Sequence, residues 1–98
     1  MAYEPLLSDD AVRHLAGFRA GERRAVTQAI DRQLRDQPTT PSRNRKPLRE
    51  NPLASWELRV GRFRVLYNVS EDDQQVEIVA IGVKDRSKLV IEGEEADL

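Results

Sequence analysis

The chain has 98 residues, enough for one domain with a thin core, and 39% of them are hydrophobic against 34% charged. It has no cysteine, which excludes disulfides and thiolate metal sites and makes a reducing cytoplasm the expected compartment. Net charge is −1, yet all 16 lysines and arginines fall between Arg13 and Lys88, where ten acids leave a net +6 between acidic ends, a pattern suited to an anionic partner.

The opening "MAYEPLLSDDAVRHL" lacks the basic leader and apolar stretch of a signal peptide. No apolar run approaches the ~20 residues needed to span a bilayer. Tyr3 to Leu7 is expected to form a short first strand, with Pro5 favouring an edge. Ser8 is the expected N-cap of a helix whose positive end Asp9 and Asp10 complement. Its apolar face is Ala11, Val12, Leu15 and Phe18. Gly17 and Gly21 bracket a tight connection to a second helix, from about Glu22 to Asp36, whose stripe is Ala25, Val26, Ala29, Ile30 and Leu34. Pro38 ends it. Two helices joined so closely need a sheet or a partner to cover them.

Pro38 to Asn51 has three prolines, four cations (Arg43, Arg45, Lys46 and Arg49) and no apolar period, so a loop is expected, pairing briefly near Leu48. Then comes "SWELRVGRFRVLYNV", in which Gly61-Arg62 fits a two-residue turn with glycine first. That turn pairs Val60 with Phe63, Arg59 with Arg64, Leu58 with Val65, Glu57 with Leu66, and Trp56 with Tyr67. One face is then wholly apolar (Trp56, Leu58, Val60, Phe63, Val65, Tyr67) and must meet the helices. The other carries Glu57, Arg59, Arg64 and Leu66. A slip of one residue would bury both arginines, which favours this register. Like charges directly opposite are destabilising, so something outside the hairpin should call for the arginine pair.

Ser70 to Gln75 is an acidic turn, and Val76 to Val83 is apolar on both faces, as in a central strand. Lys84, Arg86 and Lys88 follow, and a mobile acidic tail is expected at about 90–98. His14, one residue before a core leucine, is expected to be structural or exposed. Scattered carboxylates give no metal-ligand spacing, dispersed glycines give no phosphate loop, and no cofactor is expected. Ser70 and Ser87 read as turn or surface serines. Arg59 and Arg64, near Lys84 and Arg86, could form a phosphate pocket and stabilise the charge that builds on a phosphorane when a ribose 2′-hydroxyl attacks. Alternatively, Glu57 or another acid neutralises the pair in surface salt bridges.

"KPLRENPLASWELRVGRFRVLYNV" followed by "VEIVAIGVKDRS" resembles the RelE/ParE superfamily of toxins from bacterial type II toxin–antitoxin systems, and with the helical hairpin the resemblance covers nearly the whole chain. It implies a single α+β domain over 1–98, with an N-terminal helical hairpin packed on one face of a small antiparallel sheet, similar in outline to microbial RNases. RelE-like members cut mRNA in the ribosomal A site by 2′-hydroxyl attack, whereas ParE-like members poison DNA gyrase without nuclease activity. A cognate antitoxin wraps either kind. For this chain the resemblance implies a toxin acting on ribosome and mRNA, with a gyrase inhibitor or a catalytically degenerate binding module as alternatives. Arg64, Arg59 and Lys84 then take catalytic positions, Arg86, Lys46, Arg49 and Arg45 bind RNA phosphates, and Glu57 is a possible general base. Glu57 stands where RelE has a lysine, and Val90 where it has a tyrosine.

Overall fold

The computed structural model describes residues 2–98, and its organising feature is the turn at Gly61-Arg62. The described residues form β1 (Glu4–Leu7), α1 (Asp9–Ala16), α2 (Ala20–Leu34), β2 (Arg45–Pro47), β3 (Trp56–Val60), β4 (Phe63–Ser70), β5 (Gln75–Asp85), β6 (Lys88–Ile91) and β7 (Glu94–Ala96). Gly61 takes φ +58° at the first central position, the hand that matches the strand twist. The β3–β4 ladder then runs from Val60–Phe63 through Arg59–Arg64 to Trp56–Tyr67, the register expected from the alternation. Arg62 clips the turn to the start of α2, with its guanidinium 2.7 Å from Glu22 and stacked 4.9 Å above the Phe63 ring.

The sheet runs β2-β3-β4-β5-β6-β7 with antiparallel neighbours throughout. β1 departs from the antiparallel expectation, lying parallel to Gln75–Ile78 of β5. The same edge of β5 carries β6 only from Val83 to Asp85, so backbone groups between these two partners are left over. Helix α1 satisfies them. Ser8 caps the helix by accepting the Ala11 N–H at 3.1 Å, and its hydroxyl donates to the Val79 carbonyl at 3.2 Å. The Ile81 N–H donates to His14 Nδ1 at 3.2 Å. Buried backbone donors need partners, and here a side chain replaces a strand.

Both helices cover one face of the sheet. Ala11, Val26, Ile30 and Leu34 pack on Leu58, Val65, Tyr67, Ile78 and Ile81, with Phe18 against Phe63 at 4.8 Å. The buried Tyr67 hydroxyl donates to the Pro38 carbonyl at 2.6 Å, fixing the exit from α2. Val12 was expected on the inner face of α1 but is 51% exposed, because Ala11 and His14 point inward. Neither helix is long and apolar enough to cross a membrane.

The opposite face is not open. Leu66, Ala80, Leu89 and Ala54 form a second buried cluster, flanked by Leu48, Leu53, Ile91, Ala96 and Leu98. Residues read as an acidic tail build much of it, through the β6–β7 hairpin. Gly82 permits this packing, since a Cβ there would lie 2.7 Å from the Val90 carbonyl oxygen and 2.9 Å from Ile91 Cγ1. The hairpin turn is held to α1 at Glu92, whose carboxylate takes two hydrogen bonds from Arg13 at 2.7 and 2.9 Å. His14 Nε2 lies 3.3 Å from the same group; with Nδ1 accepting from Ile81, the ring proton sits on Nε2.

Gly82→Ala is expected to lower stability by about 1–3 kcal/mol, because backbone rather than a flexible side chain blocks the added methyl. A fall in the midpoint of thermal unfolding checks it. Arg13, through hydrogen bonding and charge, with His14 adding to it, holds the Glu92 carboxyl down at about 2. A depressed carboxyl stabilises the fold above its unfolded value, near 4.5, and loses that contribution as pH falls toward 2. Urea titrations across this window should find Glu92→Gln less stable than the wild type at the upper end, with the difference closing at the lower.

Candidate anion-binding site

The β3–β4 register places Glu57, Arg59, Arg64 and Leu66 on the face away from the helices, and β5 continues it with Ala80 opposite Leu66 and Gly82 opposite Arg64. Lys84 follows two residues beyond Gly82. Lys46 of β2 enters the same face opposite Glu57. The alternation that builds the core therefore collects Lys46, Glu57, Arg59, Arg64 and Lys84 on one side of the sheet.

Arg64 is only 7% exposed, and its Nη1 donates to the Gly61 and Phe63 carbonyls at 2.7 and 2.8 Å. Among the described residues neither Arg64 nor Arg59 has a carboxylate within ion-pair distance. The salt-bridge alternative for the pair is thereby removed. Burial pulls the Arg64 guanidinium below its ordinary value, with Glu57 opposing the shift and Arg59 adding to it. A largely buried cation without a carboxylate is expensive unless something else compensates. Here two carbonyls aim it, and an anion would complete it.

The remaining residues divide. A cleft of about 230 Å³ brings together Lys46, Glu57 and Lys84 with Ser87, Lys88 and the β7 end of the chain. Glu57 is nearly buried there, its carboxylate 3.9 Å from Lys46 Nζ. Arg59 and Arg64 do not line this cleft. Arg49 stands at the rim, 3.8 Å from Asp97. Arg45 is a correction: its guanidinium donates to the Thr40 carbonyl at 2.9 Å and to the Gln33 carbonyl and side chain at 3.1 and 2.8 Å. It pairs with Leu58, whose side chain faces the helices, so Arg45 ties β2 to α2 and stands apart from the cations on the other face.

Arg86 and Ser87 form the β5–β6 turn, both with left-handed backbone, φ +51° and +71°. Glycine and asparagine are the residues that accept this conformation readily. A strained arginine-serine turn at the cleft mouth is the kind of cost met at functional sites. Sequence reasoning passed over Lys88, Glu95 and Asp97; a run of cations at alternate positions from Lys84 to Lys88 was the one available signal for the first.

Acid–base groups are few. Tyr67 is buried on Pro38, Tyr3 donates to Glu71 at 2.6 Å, and His14 serves the opposite side of β5. Val90 pairs with Val83 and Glu95 and supplies no proton. Glu57 is thus the candidate base on the strand that carries Arg59, with Glu95 and Asp97 farther out at the rim of the cleft. No group of three metal-ligating side chains occurs among the described residues.

The family model described as the ParE toxin of type II toxin–antitoxin system, parDE, matches residues 6–87. The fold is similar to a chain in the toxin–antitoxin complex RelBE2 from Mycobacterium tuberculosis, at 25% identity and a TM-score of 0.72, over 83% of this chain and 96% of that one. It is also similar to a chain in the archaeal RelE–RelB complex from Pyrococcus horikoshii OT3, at 19% identity and a TM-score of 0.70, over 88% and 99%, a likeness of fold alone. No curated protein sequence matches.

Replacing the strained turn by asparagine-glycine (Arg86→Asn with Ser87→Gly) should raise stability by about 1 kcal/mol, measured by urea unfolding. The same variant should bind polyanions more weakly, measured by retention on heparin, since it removes the Arg86 cation from the turn whose Ser87 lines the cleft.

Proposed function

The chain belongs to the family of ParE toxins of type II toxin–antitoxin systems, and from the cations on the face away from its helices we propose that it arrests translation by cutting messenger RNA on the ribosome. One observation carries this reading: Arg64, buried without a carboxylate and aimed by two carbonyls, faces Arg59 across the hairpin. The two residues are partners in the ladder and their charges oppose one another, an effect that a phosphate bound beside both would relieve. The planar fork of each offers paired donors to phosphate oxygens.

In the proposed reaction the 2′-hydroxyl attacks the adjacent phosphorus, and the bond to the 5′-oxygen breaks. Charge builds on the non-bridging oxygens of the phosphorane, and Arg64 is already in place to bind it without reorganisation. Arg59, exposed on the neighbouring strand, follows the phosphate from the solvent side. Glu57 accepts the hydroxyl proton, and Lys84, lining the same cleft, donates one to the leaving 5′-oxygen. Lys46 stands beside Glu57, its Nζ 3.9 Å from the carboxylate.

A second reading is a ParE-like inhibitor that binds DNA gyrase and cuts nothing. It is favoured by the lack of a tyrosine or histidine in the cleft and by the residue at 90 being valine. Both readings include a cognate antitoxin as partner, supported by the similar chains having been solved as toxin–antitoxin complexes.

Purified protein added to a translating extract should cut ribosome-bound mRNA. Arg64→Ala should reduce cutting by about 10²–10³-fold, the scale for losing one transition-state donor, with its circular dichroism unchanged. Intact mRNA together with blocked supercoiling in a gyrase assay would replace this reading with the second.

A further inference from the structure

The cleft beside the arginine pair is electrically balanced by the chain itself. Three ammonium groups line it, those of Lys46, Lys84 and Lys88, and three carboxylates do so as well, those of Glu57, Glu95 and Asp97. Two of the three carboxylates belong to β7 and the residue just after it. They are spent on long contacts: Glu95 is 3.6 Å from Lys88, and Asp97 is 3.8 Å from Arg49 across the cleft mouth. All four of these side chains are well exposed, between 58% and 98%, so each contact is weak and readily exchanged. The segment is nonetheless positioned firmly, because Ala96 and Leu98 pack against the second apolar cluster and β7 is laddered to β6.

From this we infer that residues 94–98 are an intramolecular competitor for the phosphate backbone that the cleft receives. The carboxylates of Glu95 and Asp97 occupy the cations at the rim, and an incoming strand must displace them to gain Lys88 and Arg49. The inference rests on the reading that this face takes a phosphodiester, whether or not it is then cut. Its consequence is a toxin whose affinity for free nucleic acid is held down by its own C-terminal strand, while the Arg64 guanidinium stays in place.

The test is binding of a fluorescently labelled single-stranded RNA oligonucleotide to the whole protein at low salt, followed by anisotropy. Glu95→Gln with Asp97→Asn keeps the apolar anchors and leaves the cleft with two net positive charges. It is expected to bind about fivefold more tightly than the wild type, from the release of two exposed ion pairs. A control with the same change in overall charge, Asp36→Asn with Asp72→Asn, removes exposed acids outside the cleft and is expected to gain less than twofold. Equal gains in the two double variants would attribute the effect to overall charge and overturn the competitor. No gain in the rim variant, with measurable wild-type binding that Lys84→Ala weakens, would overturn the competitor and leave the phosphodiester reading standing. No RNA binding by any form would overturn both.

Discussion

The two-residue turn at Gly61 fixes which side of the sheet every functional side chain occupies. Once Val60 faces Phe63, alternation carries Leu58, Val65 and Tyr67 onto the helices and leaves Glu57, Arg59 and Arg64 on the reverse. Each buried apolar side chain is worth about 1.5–3 kcal/mol. A like-charge contact across a strand pair costs less than about 1 kcal/mol. The core therefore decides the register, and the Arg59–Arg64 repulsion is tolerated as a consequence. Relaxing it by a slip of one residue would put the whole apolar face in water.

What becomes of that repulsion depends on the second apolar cluster. Leu66, Ala80 and Leu89 share the face with the cations, and Gly82 lets β6 lie close beside Arg64's neighbour in the ladder. Arg64 is thereby taken partly out of water, which weakens its solvation and strengthens any direct contact it makes with an anion. The contact between α1 and the β6–β7 turn, through Arg13, His14 and Glu92, holds this arrangement from the other side of β5.

The parts of this architecture that could be read from the residues are those with a long period. Five-residue β3 and eight-residue β4 gave enough alternation around one glycine to fix their pairing, and α2 declared itself through Val26, Ile30 and Leu34. Short elements carry no such signal. In three-residue β2, Arg45 and Lys46 look alike, yet one is consumed by Gln33 and Thr40 while its neighbour lines the cleft. β7 consists of Glu94, Glu95 and Ala96, whose composition reads as solvated tail; only the packing of Ala96 and Leu98 on a cluster assembled from four other segments orders it. His14 was recognisable as structural but not as the acceptor for Ile81, because the vacant stretch of β5 edge exists only after β1 and β6 have taken their places. The arginine pair was legible as a juxtaposition, while the inward curl of Arg64 onto the Gly61 and Phe63 carbonyls required the turn geometry.

The cationic residues consequently divide by how freely they move. Arg64 is held by carbonyls on a rigid hairpin, so its contribution to an anionic transition state needs no ordering at the moment of reaction. Lys46 and Lys84 sit on exposed, flexible stems able to guide a charged strand, and Lys84 is ordered only by that strand before it can serve the leaving oxygen. With a net charge of −1, the protein has little of the long-range attraction to RNA available to strongly basic nucleases. Under the RNA-cleaving reading, selectivity must then come from a target that presents its phosphate already positioned. A substrate strand held in place by a larger assembly meets that condition, since the assembly bears the cost of ordering the strand and leaves to Arg64 only the charge that develops at phosphorus.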